Sequence, residues 1–167
     1  MLLPLFTTTN TPFAHPLPST FYSEEGTMKM NNFAGPGCSS LLSQSDNVPA
    51  LESTHPCRII SSTSGVAVLR LDSILRLIPS TIRIELLKVD AQGVDLAVVQ
   101  SAGAELKRIE TLIVEVQESK ANLLYRDQPG ATETRSWIEK NGFRYDAEYS
   151  YMENAEIAEA NYVFRRN

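Results

Sequence analysis

Cysteine and histidine are almost missing from this chain, with two of each among 167 residues. Cys38 and Cys57 make at most one bridge, which excludes the disulfide framework of a small secreted scaffold and leaves a reducing compartment as the default. His15, Cys38, His55 and Cys57 follow no zinc-ligand spacing, so no metal centre is expected. Basic residues are also short: 15 Lys and Arg stand against 20 Asp and Glu, a formal charge of -5. No positive stripe exists to neutralise a phosphate backbone, and a nucleic-acid partner is not expected. Long apolar runs are lacking as well. No stretch reaches the roughly 18 to 20 residues needed to span a bilayer. The apolar start, Met1 to Phe6, is broken by Pro4 and preceded by no basic residue, so it reads as no secretory leader; no membrane association is expected and the cytoplasm is the default location.

What is present divides at about residue 65. Residues 1–65 hold most of the nine prolines together with many Ser and Thr, and they read as largely irregular, with short strand candidates only at Ser19 to Ser23 and Arg58 to Ser61. From 66 to 167 the pattern is periodic. Val66 to Leu71 suits a strand, and Asp72 reads as the N-cap of a helix over Ser73 to Ile78 that Pro79 ends. Ile84 to Asp90 is nearly continuous in apolar residues, the signature of a strand covered on both faces of a parallel sheet. Beyond Gly93, the spacing of Leu96, Val99, Ala102 and Leu106 predicts one helix, with Lys107 and Arg108 serving the negative end of its dipole. Thr111 to Val116 is the next strand, parallel to its predecessor through a right-handed crossover. A helix over Thr132 to Asn141 and two antiparallel strands, Phe143 to Tyr151 and Asn161 to Arg165, complete an α/β chain.

Within this frame three stretches stand together. They are Leu69-Arg70-Leu71-Asp72-Ser73-Ile74-Leu75, Leu86-Leu87-Lys88-Val89-Asp90-Ala91-Gln92-Gly93-Val94-Asp95-Leu96, and Leu112-Ile113-Val114-Glu115-Val116. Their order and spacing, with Gly37-Cys38-Ser39-Ser40-Leu41-Leu42 upstream and Gly142-Phe143 downstream, resemble the second half of an FkbM-type S-adenosylmethionine-dependent methyltransferase domain. Gln92 and Asp95 stand where that family commonly has Glu. The resemblance implies a partial Rossmann-like class I methyltransferase sheet of parallel strands closed by an antiparallel hairpin, with S-adenosylmethionine as cofactor. It also implies a small-molecule acceptor, typically a hydroxyl on a natural product or sugar.

It places Asp90 as the catalytic base that orients or deprotonates an acceptor hydroxyl, and Gln92, Gly93 and Ser39 beside the cofactor. The alternative for Asp90 and Asp95 is that both cap the following helix. Glu115, inside a buried strand, needs either the strand end or a cationic partner, and Lys88 reads as half of an ion pair. Trp137, Tyr145, Tyr149 and Tyr151 read as packing residues. No Gly-rich turn after an apolar strand is visible, and Gly35-Pro36-Gly37 opens no helix. A second reading is therefore a truncated, non-catalytic remnant or interaction module, in which the unpaired apolar edge of the Ile84 to Asp90 strand leads to self-association.

Overall fold

The computed structural model describes residues 19–46, 54–118, 123–155 and 158–167. The apolar start Met1 to Phe6 and His15 lie outside the described residues. The chain is mixed α/β with two sheets. The first contains β1 (Ser19–Phe21), β2 (Gly26–Phe33) and β3 (Ile60–Leu69) in the order β1-β3-β2, β1 running parallel and β2 antiparallel to β3. The second contains β4 (Ile84–Val89), β5 (Ile109–Gln117), β6 (Phe143–Asn154) and β7 (Glu159–Arg166) in the order β4-β5-β7-β6. β4 and β5 are parallel; β7 is antiparallel to both of its neighbours.

The residue-65 boundary falls inside β3, and the segment expected to be irregular contains the whole of β2. These strands escape a hydrophobic-pattern reading because they are polar. Most of β2 and the first six residues of β3 are exposed or half-buried. What holds them is the backbone ladder plus short side-chain bonds: Asn32 Nδ2 donates to Ser62 Oγ at 3.2 Å and Ser64 Oγ at 3.1 Å. Only at Val66 and Val68 does β3 alternate into a buried face.

Helix α1 (Leu71–Leu75) starts earlier than expected, with Arg70 as its N-cap. Asp72 is thus inside the first turn rather than capping it. Its buried carboxylate binds Arg70 Nε at 3.0 Å and the Arg76 guanidinium one turn on. Burial opposes its ionisation, but these two cations hold the carboxyl below the usual carboxylate range.

The single helix expected after Gly93 is two pieces, α2 (Asp95–Ser101) and a 3₁₀ helix over Gly103–Arg108, parted where Gly103 turns to φ 51°. The break puts Arg108 to a different use from the one expected. Instead of serving its own helix end, the buried guanidinium gathers the carbonyls that leave α1. It donates to Leu75, Ile78, Pro79 and Ile82 oxygens at 2.8 to 3.1 Å and pairs with Glu105 at 2.7 Å. A helix end and the turn into β4 are satisfied by one planar cation.

Leu112, Val114 and Val116 of β5 pack with Val98, Val99 and Ala102 of α2 and Ile138 of α3 (Ala131–Lys140). Strand alternation sends Thr111, Ile113 and Glu115 to the opposite face. Among the described residues that face has no helix over it: Leu86 on β4 is 55% exposed, and Tyr149 and Tyr151 on β6 are 57% and 52% exposed. β4 is therefore not covered on both faces, and it stands at the sheet edge. Tyr145 does pack against the core, as expected, whereas Tyr149 and Tyr151 stand on the open face. Among the described residues, no helix is long and apolar enough to cross a membrane.

Arg108→Met is expected to cost about 3–5 kcal/mol in denaturant unfolding, because several buried carbonyls lose their donors together. Arg108→Lys is expected to recover less than half, a single ammonium being unable to reproduce the fork. An unchanged unfolding midpoint in Arg108→Met would remove the guanidinium from this role.

Candidate functional site at the carboxyl ends of β4 and β5

The turn from β4 into α2 is built by Asp95. Its carboxylate accepts the backbone N–H of Ala91 at 2.7 Å and of Gly93 at 3.0 Å, while Gln92 takes φ 51° and Gly93 φ 96°. Neither aspartate caps α2, whose N-cap is Val94 without a side-chain bond: Asp95 braces the turn before the helix, and Asp90 receives Lys88 Nζ at 3.3 Å and Gln92 Nε2 at 3.2 Å. A side chain at position 93 would bring its Cβ to 2.7 Å from the Tyr125 ring and 3.2 Å from Leu42. Glycine is required by both the conformation and the space.

Gln92 is the centre of this site. Its Nε2 also donates to Glu115 Oε2 at 3.0 Å, its Oε1 lies 2.9 Å from the Tyr125 hydroxyl, and its backbone carbonyl accepts the Ser40 hydroxyl at 2.6 Å. The Tyr125 hydroxyl lies 2.7 Å from the Cys38 carbonyl as well, so its one proton is shared between two acceptors. Ser39, the expected cofactor neighbour, is half-buried one residue before Ser40; it is Ser40, not Ser39, that contacts Gln92. Cys38 is bonded to Cys57, which ties this loop to the 3₁₀ turn Pro56–Arg58. Gly35 packs against that bridge: a Cβ there would meet Cys57 Sγ at 2.7 Å. The Gly35-Pro36-Gly37 turn does follow a strand, β2, and leads to Ser40 without opening a helix.

The electrostatics are acidic. Burial first, and then Asp90, Asp95, Glu159 and Glu153, push the Glu115 carboxyl up to about 9, so it holds its proton at neutral pH. Glu115 therefore finds neither a cation nor solvent but an amide donor. Glu159 is raised to about 7 by burial and then by Glu153, Asp90 and Asp95. Asp95 rises to about 6, its burial outweighing the backbone N–H groups it accepts. Burial, with the surrounding carboxylates, keeps the Tyr125 phenol protonated. Lys88 loses solvation, yet its bond to Asp90 holds it above the ordinary lysine value, as the expected ion pair requires. Among the described residues, no group of three or more His, Cys, Asp or Glu has the geometry to hold a metal ion.

The methyltransferase FkbM domain model matches residues 20–145, a span that includes this turn and Glu115 of β5. The chain belongs to this family. The match takes in nearly all of the first sheet together with β4 and β5, so the family resemblance begins far before Val66. No curated protein and no solved structure matches the chain.

In this FkbM domain the sequence located Asp90, Gln92 and Gly93 on one turn but gave no sign that Ser40 and Tyr125 meet there. Both lie in loops, without a periodic signal; the packing of Tyr125 on Gly93 brings in the one, and the hydroxyl bond to the Gln92 carbonyl brings in Ser40.

Three carboxyls in the site bind protons more tightly folded than unfolded. The stability this permits is full below about pH 4 and is lost as the pH climbs through the folded values of about 6, 7 and 9. Thermal stability is therefore expected to fall between pH 5 and pH 9. Glu115→Gln still accepts from Gln92 but cannot ionise, and it is expected to flatten the profile and gain on the order of 1–2 kcal/mol near pH 8.5. Parallel profiles for the two proteins would show that Glu115 ionises normally in the fold.

Proposed function

We propose that the β4–α2 turn is the transfer side of an S-adenosylmethionine-dependent methyltransferase site on a Rossmann-like sheet, acting on a hydroxyl of a small molecule or sugar. The observation that carries this reading is the convergence of Asp90, Gln92 and Glu115 at the carboxyl ends of the parallel pair β4 and β5. Ligands of parallel sheets collect at such ends. Among the described residues no strand ends in a Gly-rich turn that opens a helix, so they fit the transfer side of the cofactor and not the turn that would hold its amino-acid tail. When bound, S-adenosylmethionine supplies an electrophilic methyl group.

The chain's own contribution is proton handling and orientation. Asp90 is half-buried, in contact with Lys88 and Gln92. Its carboxylate accepts the acceptor's hydroxyl proton as the new carbon–oxygen bond forms. Lys88 steadies that carboxylate. Gln92 cannot swing freely, because its amide is held by Asp90, Glu115 and Tyr125, and so it fixes the angle of Asp90.

A second reading is favoured by one observation, the unpaired edge of β4 beside the exposed Leu86. In it the chain keeps the scaffold and uses the edge to associate with copies of itself.

The deciding experiment is calorimetric titration of S-adenosylmethionine and S-adenosylhomocysteine into the purified 167-residue protein, with sedimentation of the same sample. Saturable binding is expected, and Asp90→Asn is expected to lower methyl transfer by about 100-fold or more while leaving S-adenosylhomocysteine affinity within a few-fold. A folded sample that binds neither ligand and sediments as a concentration-dependent oligomer would replace the enzyme reading with the second one.

A further inference from the structure

The open face of the second sheet holds a groove of about 360 Å³, floored by Leu86, Ile113 and Val163 and walled by Tyr149 and Tyr151. One end is closed by Arg165, whose charge is already committed to Asp146 at 3.1 Å. The strand register fixes what lies at the other end. Ile113 pairs with Val163, and two residues along, Glu115 pairs with Asn161, which in turn pairs with Tyr151. One side-chain step, roughly 7 Å, therefore leads from the apolar floor to Glu115 and Asn161.

That end is short of positive charge and of donors. Asp90, Glu153 and Glu159 all act on Glu115, and the cation set against them is Lys88, itself 41% exposed and bonded to Asp90. The raised proton affinities of Glu115 and Glu159 express the same deficit. Independently, Asn161 is fully buried; its Nδ2 donates to the Glu153 carboxylate and its Oδ1 has no hydrogen-bond partner among the described residues. The amide cannot be turned round, since that would set Oδ1 against the carboxylate. A buried acceptor without a donor adds to the deficit of positive potential at this end, and a cation arriving beside Glu153 would offset it together with the surrounding carboxylates.

We propose that this groove binds an amphipathic amine, its ammonium group against the exposed Glu153 carboxylate beside Asn161 and its apolar, ring-bearing body between Tyr149 and Tyr151. As the acceptor of the methyl group it rests on the methyltransferase reading above; as a binding site it does not. The apolar floor gives affinity for the body of the ligand, and the acidic end gives the sign of charge it selects. The nearness of Asp90 to that end also places a hydroxyl carried close to the amine within the reach of the base.

The test compares three probes of nearly equal size, 2-phenylethylammonium, 2-phenylethanol and 3-phenylpropionate, by heteronuclear chemical-shift titration of the protein at pH 7. The ammonium is expected to bind at least tenfold more tightly than the alcohol, and the carboxylate not detectably, with shifts centred on Ile113, Tyr151 and Asn161. Leu86→Lys, at an exposed position that leaves the core untouched, is expected to weaken the ammonium at least tenfold. Glu153→Gln is expected to narrow the difference between ammonium and alcohol. Equal affinities for ammonium and alcohol, or binding indifferent to Leu86→Lys, overturn the assignment. Amine binding by a protein that ignores S-adenosylhomocysteine would keep this site and remove the methyltransferase reading; the reverse result would keep the methyltransferase reading and remove this site.

Discussion

The side-chain amide of Gln92 is the joint on which the site depends. It holds Asp90 and Glu115 on one side and Tyr125 on the other, while its main-chain carbonyl holds Ser40. Four separate pieces of chain meet at one residue, and the residue can serve them all because its backbone sits in the left-handed region, with Asp95 securing the amides on either side. An amide suits this place better than a carboxylate. A glutamate at position 92 would set a second negative charge beside Asp90 and have no N–H to offer, whereas Gln92 offers two N–H groups to Asp90 and Glu115 and an oxygen to Tyr125. Glu115 can remain buried and protonated for the same reason: its neighbour donates without demanding ionisation.

The second constraint is the asymmetry of the four-stranded sheet. On one face α2, α3 and the strands form a continuous apolar core, braced by Arg108 at the entrance to β4. On the other face apolar side chains stand partly exposed, bordered by paired charges. The site lies at the rim between these faces. Its structural support comes from the core side and from the loop held by the Cys38–Cys57 bridge.

Sequence periodicity located the second sheet well because β5 and β7 bury apolar residues along their length and β4 is a nearly continuous apolar run. The bounds of β4, α3 and the terminal hairpin lie within a few residues of those expected. Periodicity failed where burial is weak. β2 has only Met28, Met30 and Phe33 as apolar side chains, of which Phe33 alone is buried, and the first half of β3 is mostly Ser and Thr, so the pattern is weak although their ladder is long. The break at Gly103 was also hidden, because a 3₁₀ turn keeps the apolar residues of an α-helix near the same face. At the site, Asp90, Gln92 and Gly93 were legible as a local motif. The partners that arrive from distant loops, Ser40 and Tyr125, and the orphan acceptor of Asn161 depend on tertiary register and were not. Asp72 shows the opposite error: the residue type fits an N-cap, but two arginines outbid the backbone for its carboxylate.

The claim that the Gln92 turn is the ligand-facing centre of this domain is most directly tested by mapping S-adenosylhomocysteine onto the backbone amides of the intact chain by heteronuclear chemical shifts. The account predicts that the largest changes fall on Ala91, Gln92 and Gly93, followed by Tyr125. A folded spectrum that does not respond, or one whose changes lie away from the β4–α2 turn, would contradict it.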